Sequence, residues 1–174
     1  YQIFGHRWLR TLEKYGFGGI LADDMGLGKT LQIISVLSAA KSEGVQGVSL
    51  VVCPASLIYN WLEELSRFSP ELNAVAVAGN QFERAEIIEN ILQYDVAVTS
   101  YDLLKRDISL YENIHFNYEI IDEAQYIKNH STAAAKAVKV IGSRIRFALT
   151  GTPIENRLSE LWSIFDYLMP GFLY

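Results

Sequence analysis

Two short runs of the chain carry residues able to do chemistry together. The first is DDMGLGKTLQ, Asp23 to Gln32, in which Gly26, Gly28, Lys29 and Thr30 spell G-x-G-K-T. Glycines at this spacing let the backbone wrap closely, so that its N–H groups face a phosphate. A helix opening at the end of the run adds its positive N-terminal end. Lys29 would then reach the β- and γ-phosphates, and the Thr30 hydroxyl would hold Mg²⁺. The full phosphate-loop pattern begins with glycine, where this chain has Asp23. Taken alone, the run also suits a glycine-rich turn with an exposed lysine. A dinucleotide fingerprint is excluded, because no third glycine follows in G-x-G-x-x-G.

The second run is YEIID, ending at Asp122, then Glu123, Ala124 and Gln125. Hydrolysis of a nucleoside triphosphate needs a carboxylate to hold Mg²⁺ through its water shell. It also needs a base for the attacking water. An apolar strand delivering Asp-Glu at its carboxyl end supplies both, although the pair alone is equally a solvated strand end.

These runs need elements to hold them. Short apolar segments read as strands over 17–22, 49–53, 73–78, 95–99, 118–122 and 144–150. Helical patterns lie between or after them, over 30–41, 56–68, 81–92, 101–105, 132–141 and 158–168. Ser56 is placed to cap the second of these helices. Apolar strands interleaved with amphipathic helices imply an α/β fold, with a central parallel β-sheet and helices on both faces. In such sheets ligands bind beyond the carboxyl ends of the strands, where both runs fall.

Composition narrows the class. Half of the 174 residues are hydrophobic and 20% are charged, so the chain has the apolar surface to fold as one domain. With Lys+Arg 15 against Asp+Glu 20, the net charge of −5 argues against a stand-alone nucleic-acid binder. It leaves room for a domain that touches a few phosphates through local groups. The single cysteine, Cys53, sits in an apolar strand and reads as an inert buried thiol. No Cys/His cluster has zinc spacing. No apolar run reaches the ~18 residues that span a bilayer. Without an initiator Met or a signal pattern, the chain reads as a piece of a longer intracellular protein.

Five segments in order, GILADDMGLGKTLQ, LVVCPASLIYNWLEEL, VAVTSYDLL, IIDEAQYIKN and FALTGTPIENRLSELWSIFDYLMP, resemble the Swi/Snf-like ATPases, a helicase-related family of superfamily two. The match runs nearly the whole length, and the last segment is most similar to the bacterial branch. The resemblance implies that residues 1–174 form the N-terminal RecA-like P-loop lobe of a two-lobe motor. Such motors hydrolyse ATP with Mg²⁺ between the lobes, move along double-stranded DNA and shift DNA-bound proteins. By position, Gln2 resembles the residue that reads adenine. Asp23, Met25, Gly26, Leu27, Gly28, Lys29 and Thr30 resemble the phosphate loop, with Asp23 a normal family variant. Asp122 resembles the magnesium-water ligand and Glu123 the catalytic base. Pro54, Ala55 and Ser56, with Thr99, Ser100 and Tyr101, resemble DNA-backbone contacts. Thr150, Gly151 and Thr152 resemble the motif coupling ATP state to DNA. Gln125 stands where most members carry histidine. Both side chains donate and accept, so coupling would change in detail. The resemblance also implies a cytoplasmic, nucleoid location if the source is bacterial, and no membrane partner.

Other residues have plainer readings. Trp8, Trp61 and Trp162 lie beside leucines in helical patterns and read as packing residues. Asn129 and His130 suit a turn or cap as well as a nucleic-acid contact, and Lys105 and Arg106 suit a solvated helix end. Glu155, Asn156 and Arg157 follow Thr-Pro at a helix start, with Arg157 aimed at DNA or at a second lobe. Two rival functions share the first motifs. One is a lobe of a DEAD/DEAH-type RNA helicase, which typically carries Ser-Ala-Thr where this chain has Thr-Gly-Thr-Pro. The other is a nucleotide-gated binding module without catalysis, against which the intact Lys29, Thr30, Asp122 and Glu123 speak.

Overall fold

The computed structural model describes residues 2–23, 26–152 and 158–171. Helix α1 (Gln2–Lys14) leads into strand β1 (Gly19–Leu21) and α2 (Lys29–Ser42). Then follow β2 (Ser49–Cys53), α3 (Ile58–Phe68), β3 (Ala74–Ala76) and α4 (Gln81–Glu89). The second half runs β4 (Val96–Ser100), α5 (Tyr101–Asp107), β5 (His115–Ile121), α6 (Ala133–Val140), β6 (Gly142–Leu149) and α7 (Leu158–Leu168). The six strands form one sheet in the order β1-β6-β5-β2-β4-β3, and every pairing is parallel. The expected α/β class and sheet are therefore observed.

Burial on both faces follows from strands with no polar side. Along β2, Leu50 and Val52 join one core with Ile88, Leu104, Val138 and Ile164 from the helices α4 to α7. Val51 and Cys53 point the other way, into a core with Leu9, Ile33, Leu37, Trp61 and Leu65 from α1, α2 and α3. Period-two alternation inside a continuous apolar run thus fills two cores at once. The register sets the strand ends level: Leu21 pairs with Leu149, Ile121 with Ala148, Val52 with Ile121 and Cys53 with Ser100. Whatever follows β1, β2, β4, β5 and β6 must emerge along one edge.

Local differences from the sequence reading have local causes. The helix expected to run to residue 92 ends at Glu89, and a 3₁₀ turn spans Ile91–Gln93. Asn90 breaks it by folding its side-chain amide back onto the Glu86 carbonyl at 2.9 Å. The start of that helix is a capping box between Asn80 and Glu83. Ser56 caps nothing: Ala55–Leu57 is a 3₁₀ turn, and α3 begins at Ile58 without a side-chain cap. Trp8 is 48% exposed, unlike the buried Trp61. Thr132 caps α6, and Asn129 folds a turn by accepting from the amide and hydroxyl of Ser131. Residues 153–157, including the Glu155-Asn156-Arg157 run, lie outside the described residues, as does Met25.

One ionisable pair lies inside the sheet. Glu119 on β5 is fully buried, with its Oε2 3.1 Å from the Arg146 Nε of β6. Arg146 has its own acceptors, the carbonyls of Tyr167, Ile141 and Lys139 and the Ser143 hydroxyl, so it does not depend on Glu119 ionising. Burial pushes the Glu119 carboxyl up to about 8, against the pull of Arg146 and Ser143. The native state then keeps a proton that an unfolded glutamate releases near ~4.3. That contribution is full below the unfolded value and is lost as pH rises through the folded one, by at most about 1.4 kcal/mol per pH unit. Glu119→Gln cannot ionise. Urea unfolding at several pH values should show the wild-type decline between about pH 4.5 and 8 flattened in this variant. Parallel pH profiles for the two proteins would refute a protonated Glu119.

Candidate nucleotide-binding site

The phosphate loop grows out of β1. Thr150 N donates to the Leu21 carbonyl at 3.2 Å, fixing where that strand ends. Gly26 and Gly28 both adopt positive φ, 84° and 77°. Gly28 is the residue from which α2 starts, and no side chain caps that end. The first amides of α2 are thereby left for an incoming anion. Asp23, at the position of the missing glycine, closes the loop: its carbonyl accepts from Lys29 Nζ at 2.7 Å, and its carboxylate accepts from Gln32 Nε2 at 3.3 Å.

Helix α1 lies against this loop. A Cβ on Gly28 would come within 2.6 Å of Gln2 Nε2, so the Gln2 amide rests on the loop backbone. A Cβ on Gly5 would overlap Gln32 Oε1 at 1.6 Å, so a larger residue there would push the Gln32 side chain aside.

Beyond β5, Asp122 is 9% exposed. Its Oδ2 accepts from Trp61 Nε1 at 2.9 Å and its Oδ1 from Glu123 N at 2.8 Å. Its backbone is held as well, because Asp122 N donates to Val52 O and Tyr101 OH donates to Asp122 O. Burial pushes the carboxyl up, while the two N–H donors pull it down. Glu123 has φ 51°, ψ 55°, the sole non-glycine with positive φ among the described residues. That conformation costs a side chain about 1 kcal/mol or more. It sends the Glu123 carboxylate to Gln125 Nε2 at 2.5 Å. The other end of the Gln125 amide, Oε1, accepts from Thr150 Oγ1 at 3.1 Å, and Thr150 Oγ1 accepts from Thr152 N. Gln125 therefore uses both halves of its amide to join the β5 end to the β6 end.

The loop and the end of β5 face one cavity of about 330 Å³, which Gln2, Asp23 and Gln125 do not line. The loop contributes Gly26, Gly28, Lys29 and Thr30, and the β5 end contributes Asp122 and Glu123. Two further lining residues, Leu57 and Glu64, come from α3 and the turn before it. The donor set suits Mg²⁺. One hydroxyl and three carboxylates line the cavity, and no three-residue metal cluster exists among the described residues. Magnesium is commonly held by a carboxylate or two together with substrate oxygens and water.

The expected nucleic-acid contacts divide. Pro54 is half-buried and Ala55, Ser56 and Thr152 are exposed along the edge where the strands end. Gly151 is half-buried there too. Thr99, Ser100, Tyr101 and Thr150 are buried, and their side chains are engaged elsewhere. Thr99 Oγ1 donates to Val77 O, Ser100 Oγ accepts from Leu103 N at the start of α5, and Tyr101 serves Asp122. Against the sequence expectation, these side chains are not available to a phosphate in this structure. Trp61 and Glu64 were missed as site residues. Only their i, i+3 spacing on α3, which puts them on one helix face, could have flagged them.

A parallel sheet with a phosphate loop after its first strand and an Asp-Glu pair at the end of its fifth defines a RecA-like P-loop lobe. The chain belongs to the SNF2-related domain family, which matches it over residues 1–174. It is 49% identical to the Sulfolobus solfataricus SWI2/SNF2 ATPase core solved in complex with double-stranded DNA, with a TM-score of 0.90. That likeness covers 98% of this chain and 35% of the other. An uncharacterized ATP-dependent helicase of Mycoplasma genitalium is 45% identical across 99% of this chain, which spans 17% of that protein. Human TATA-binding protein-associated factor 172 is 43% identical across 99% of this chain, which spans 10% of that protein. The fold and family expectations are met. No helix among the described residues is long and apolar enough to cross a membrane.

The indole–carboxylate bond can be tested directly. Trp61→Phe keeps most of the packing and removes the Nε1–H donor from a buried carboxylate. It should lower stability in urea by about 1.5–3 kcal/mol. Asp122→Asn in the Trp61→Phe background should then cost less than Asp122→Asn alone. Additive losses would show that the bond contributes nothing.

Proposed function

We propose that this chain supplies the ATP-binding lobe of a DNA-dependent ATPase motor that translocates on double-stranded DNA and displaces proteins bound to it. The observation that carries the reading is the meeting of Lys29, Thr30, Asp122 and Glu123 in one cavity at the head of a P-loop helix. The double-stranded DNA in the Sulfolobus relative's complex supports the choice of nucleic acid.

The chemistry follows from positions. The α2 amides and Lys29 bind the β- and γ-phosphates and offset charge that develops on them. Gln2, resting on the loop, is placed to read the base. Thr30 and Asp122 would hold Mg²⁺, which when bound would neutralise phosphate charge. Glu123 accepts the proton of the water that attacks the γ-phosphate in line. Occupancy of the γ-phosphate position changes what Glu123 bonds to, and Gln125 carries that change to Thr150 and Thr152. Phosphates of DNA run along the strand-end edge past Ala55, Ser56 and Thr152, without readout of sequence.

The chain is the first lobe of a longer, two-lobed protein working inside the cell. An arginine from the second lobe completes the charge stabilisation, a contribution of about 10³–10⁵ in rate. The isolated lobe is accordingly expected to turn ATP over poorly. Thr-Gly-Thr-Pro at 150–153 disfavours the RNA-helicase alternative, and the complete set of catalytic residues disfavours a purely binding role.

The test is ATP turnover by the full-length protein with no nucleic acid, duplex DNA, single-stranded DNA or RNA. Duplex DNA should stimulate most. Lys29→Ala and Glu123→Gln should each lose about 10²-fold or more. Stimulation by RNA alone would overturn the DNA reading. Absence of turnover with nucleotide still bound would overturn the catalytic one.

A further inference from the structure

The phosphate cavity holds a third carboxylate that the proposed chemistry leaves unused. Glu64 lies on α3, one turn after Trp61, and Trp61 is pinned to Asp122. Residues three apart share a helix face, so anchoring Trp61 commits Glu64 to the same strand end. Glu64 accordingly lines the cavity with Lys29, Thr30 and Asp122. Among the described residues it makes no hydrogen bond or ion pair. Its neighbour Glu63 is exposed and does not line the cavity.

The charge balance has a direct consequence. Among the described residues, Glu64, Asp122 and Glu123 set three carboxylates against one cationic side chain lining the cavity, Lys29. Polyphosphate brings several more negative charges. A carboxylate facing phosphate across a half-enclosed cleft repels it, unless a cation lies between them. Asp122 and Glu123 are each tied to protein donors, but the Glu64 charge stands open to whatever enters.

We propose that Glu64 makes this site selective for the metal-bound nucleotide, by repelling polyphosphate that arrives without a divalent cation. The inference rests on the nucleotide-site reading above. Glu64 acts here as a specificity residue and takes no proton from the attacking water. Desolvation in the cleft and the neighbouring Asp122 and Glu63 charges push the Glu64 carboxyl upward, against a weaker pull from Arg67.

The experiment is equilibrium binding, independent of turnover. Fluorescent N-methylanthraniloyl-ATP would be titrated into the full-length protein, once with excess Mg²⁺ and once with EDTA. The ratio of the two dissociation constants is the readout. Wild type should bind the metal-free form more weakly, with about tenfold of the difference due to the Glu64 charge, the order expected for one unit charge several Å from a phosphate. Glu64→Gln should tighten metal-free binding and bring the ratio down by about tenfold. Glu63→Gln makes the same change in net charge outside the cavity, and should leave the ratio within twofold of wild type. Matching melting temperatures would show that the variants are folded. An unchanged ratio in Glu64→Gln, or an equal change in Glu63→Gln, overturns the proposal while leaving the nucleotide site standing. Failure of wild type to bind the nucleotide in either buffer would instead overturn the site itself, and this inference with it.

Discussion

Asp122 is a carboxylate placed nine-tenths out of water at the end of an apolar strand, and the protein must supply what water no longer does. Its two oxygens take N–H groups from Trp61 and Glu123, and its backbone is bonded to Val52 and Tyr101. Those partners come from α3, β2, α5 and the turn after β5. Satisfying one buried acid thus fixes where four neighbouring segments stand. A polar group left without partners in such a place would cost several kcal/mol, roughly the scale of a small domain's whole margin. The level strand ends make this possible, since only a common edge brings all four within reach.

The same edge carries a hydrogen-bonded link from the end of β5 to the end of β6. Glu123 is held in a left-handed conformation that a side chain does not choose unaided. What holds it includes the amide of Gln125, whose other end grips Thr150 on the next strand. A histidine at position 125 could also donate and accept, but across a rigid ring. The amide does so along a flexible stem, so the link is kept while its geometry is changed. The strain at Glu123 and the link at Gln125 belong together: the backbone is bent so that one carboxylate can face the cavity and the relay at once.

Much of this was legible in the sequence because it is local. SLVVC reads as a strand buried on both faces, and it is one. G-x-G-K-T and Asp122-Glu123 mark turns by residue type, and strand alternation places them at the same edge. What escaped was set by distance or direction. Around Trp8 the residues read only as a helical pattern, without bounds; the helix runs over Gln2–Lys14, with Leu9 buried while Ile3, Phe4 and Trp8 are exposed. Thr99, Ser100 and Tyr101 were expected at DNA because their segment resembles a family motif, but β4 lies between β2 and β3 and the three side chains are buried and bonded within the fold. Trp61 was readable as a packing residue, and it is that. Nothing in its spacing reveals that its one polar atom reaches a carboxylate 61 positions later.

The bond between Trp61 and Asp122 also has an optical side. Indole emission responds to the polarity around the ring and to charge near its nitrogen. Trp61 sits in a dry core with that nitrogen on the acid that faces the phosphate cavity, whereas Trp8 is half in water. The two rings therefore emit in different surroundings, and only one of them touches the site. Trp61 is therefore a built-in chromophore for the proposed site: a cation or nucleotide bound beside Asp122 would change its emission without any attached dye.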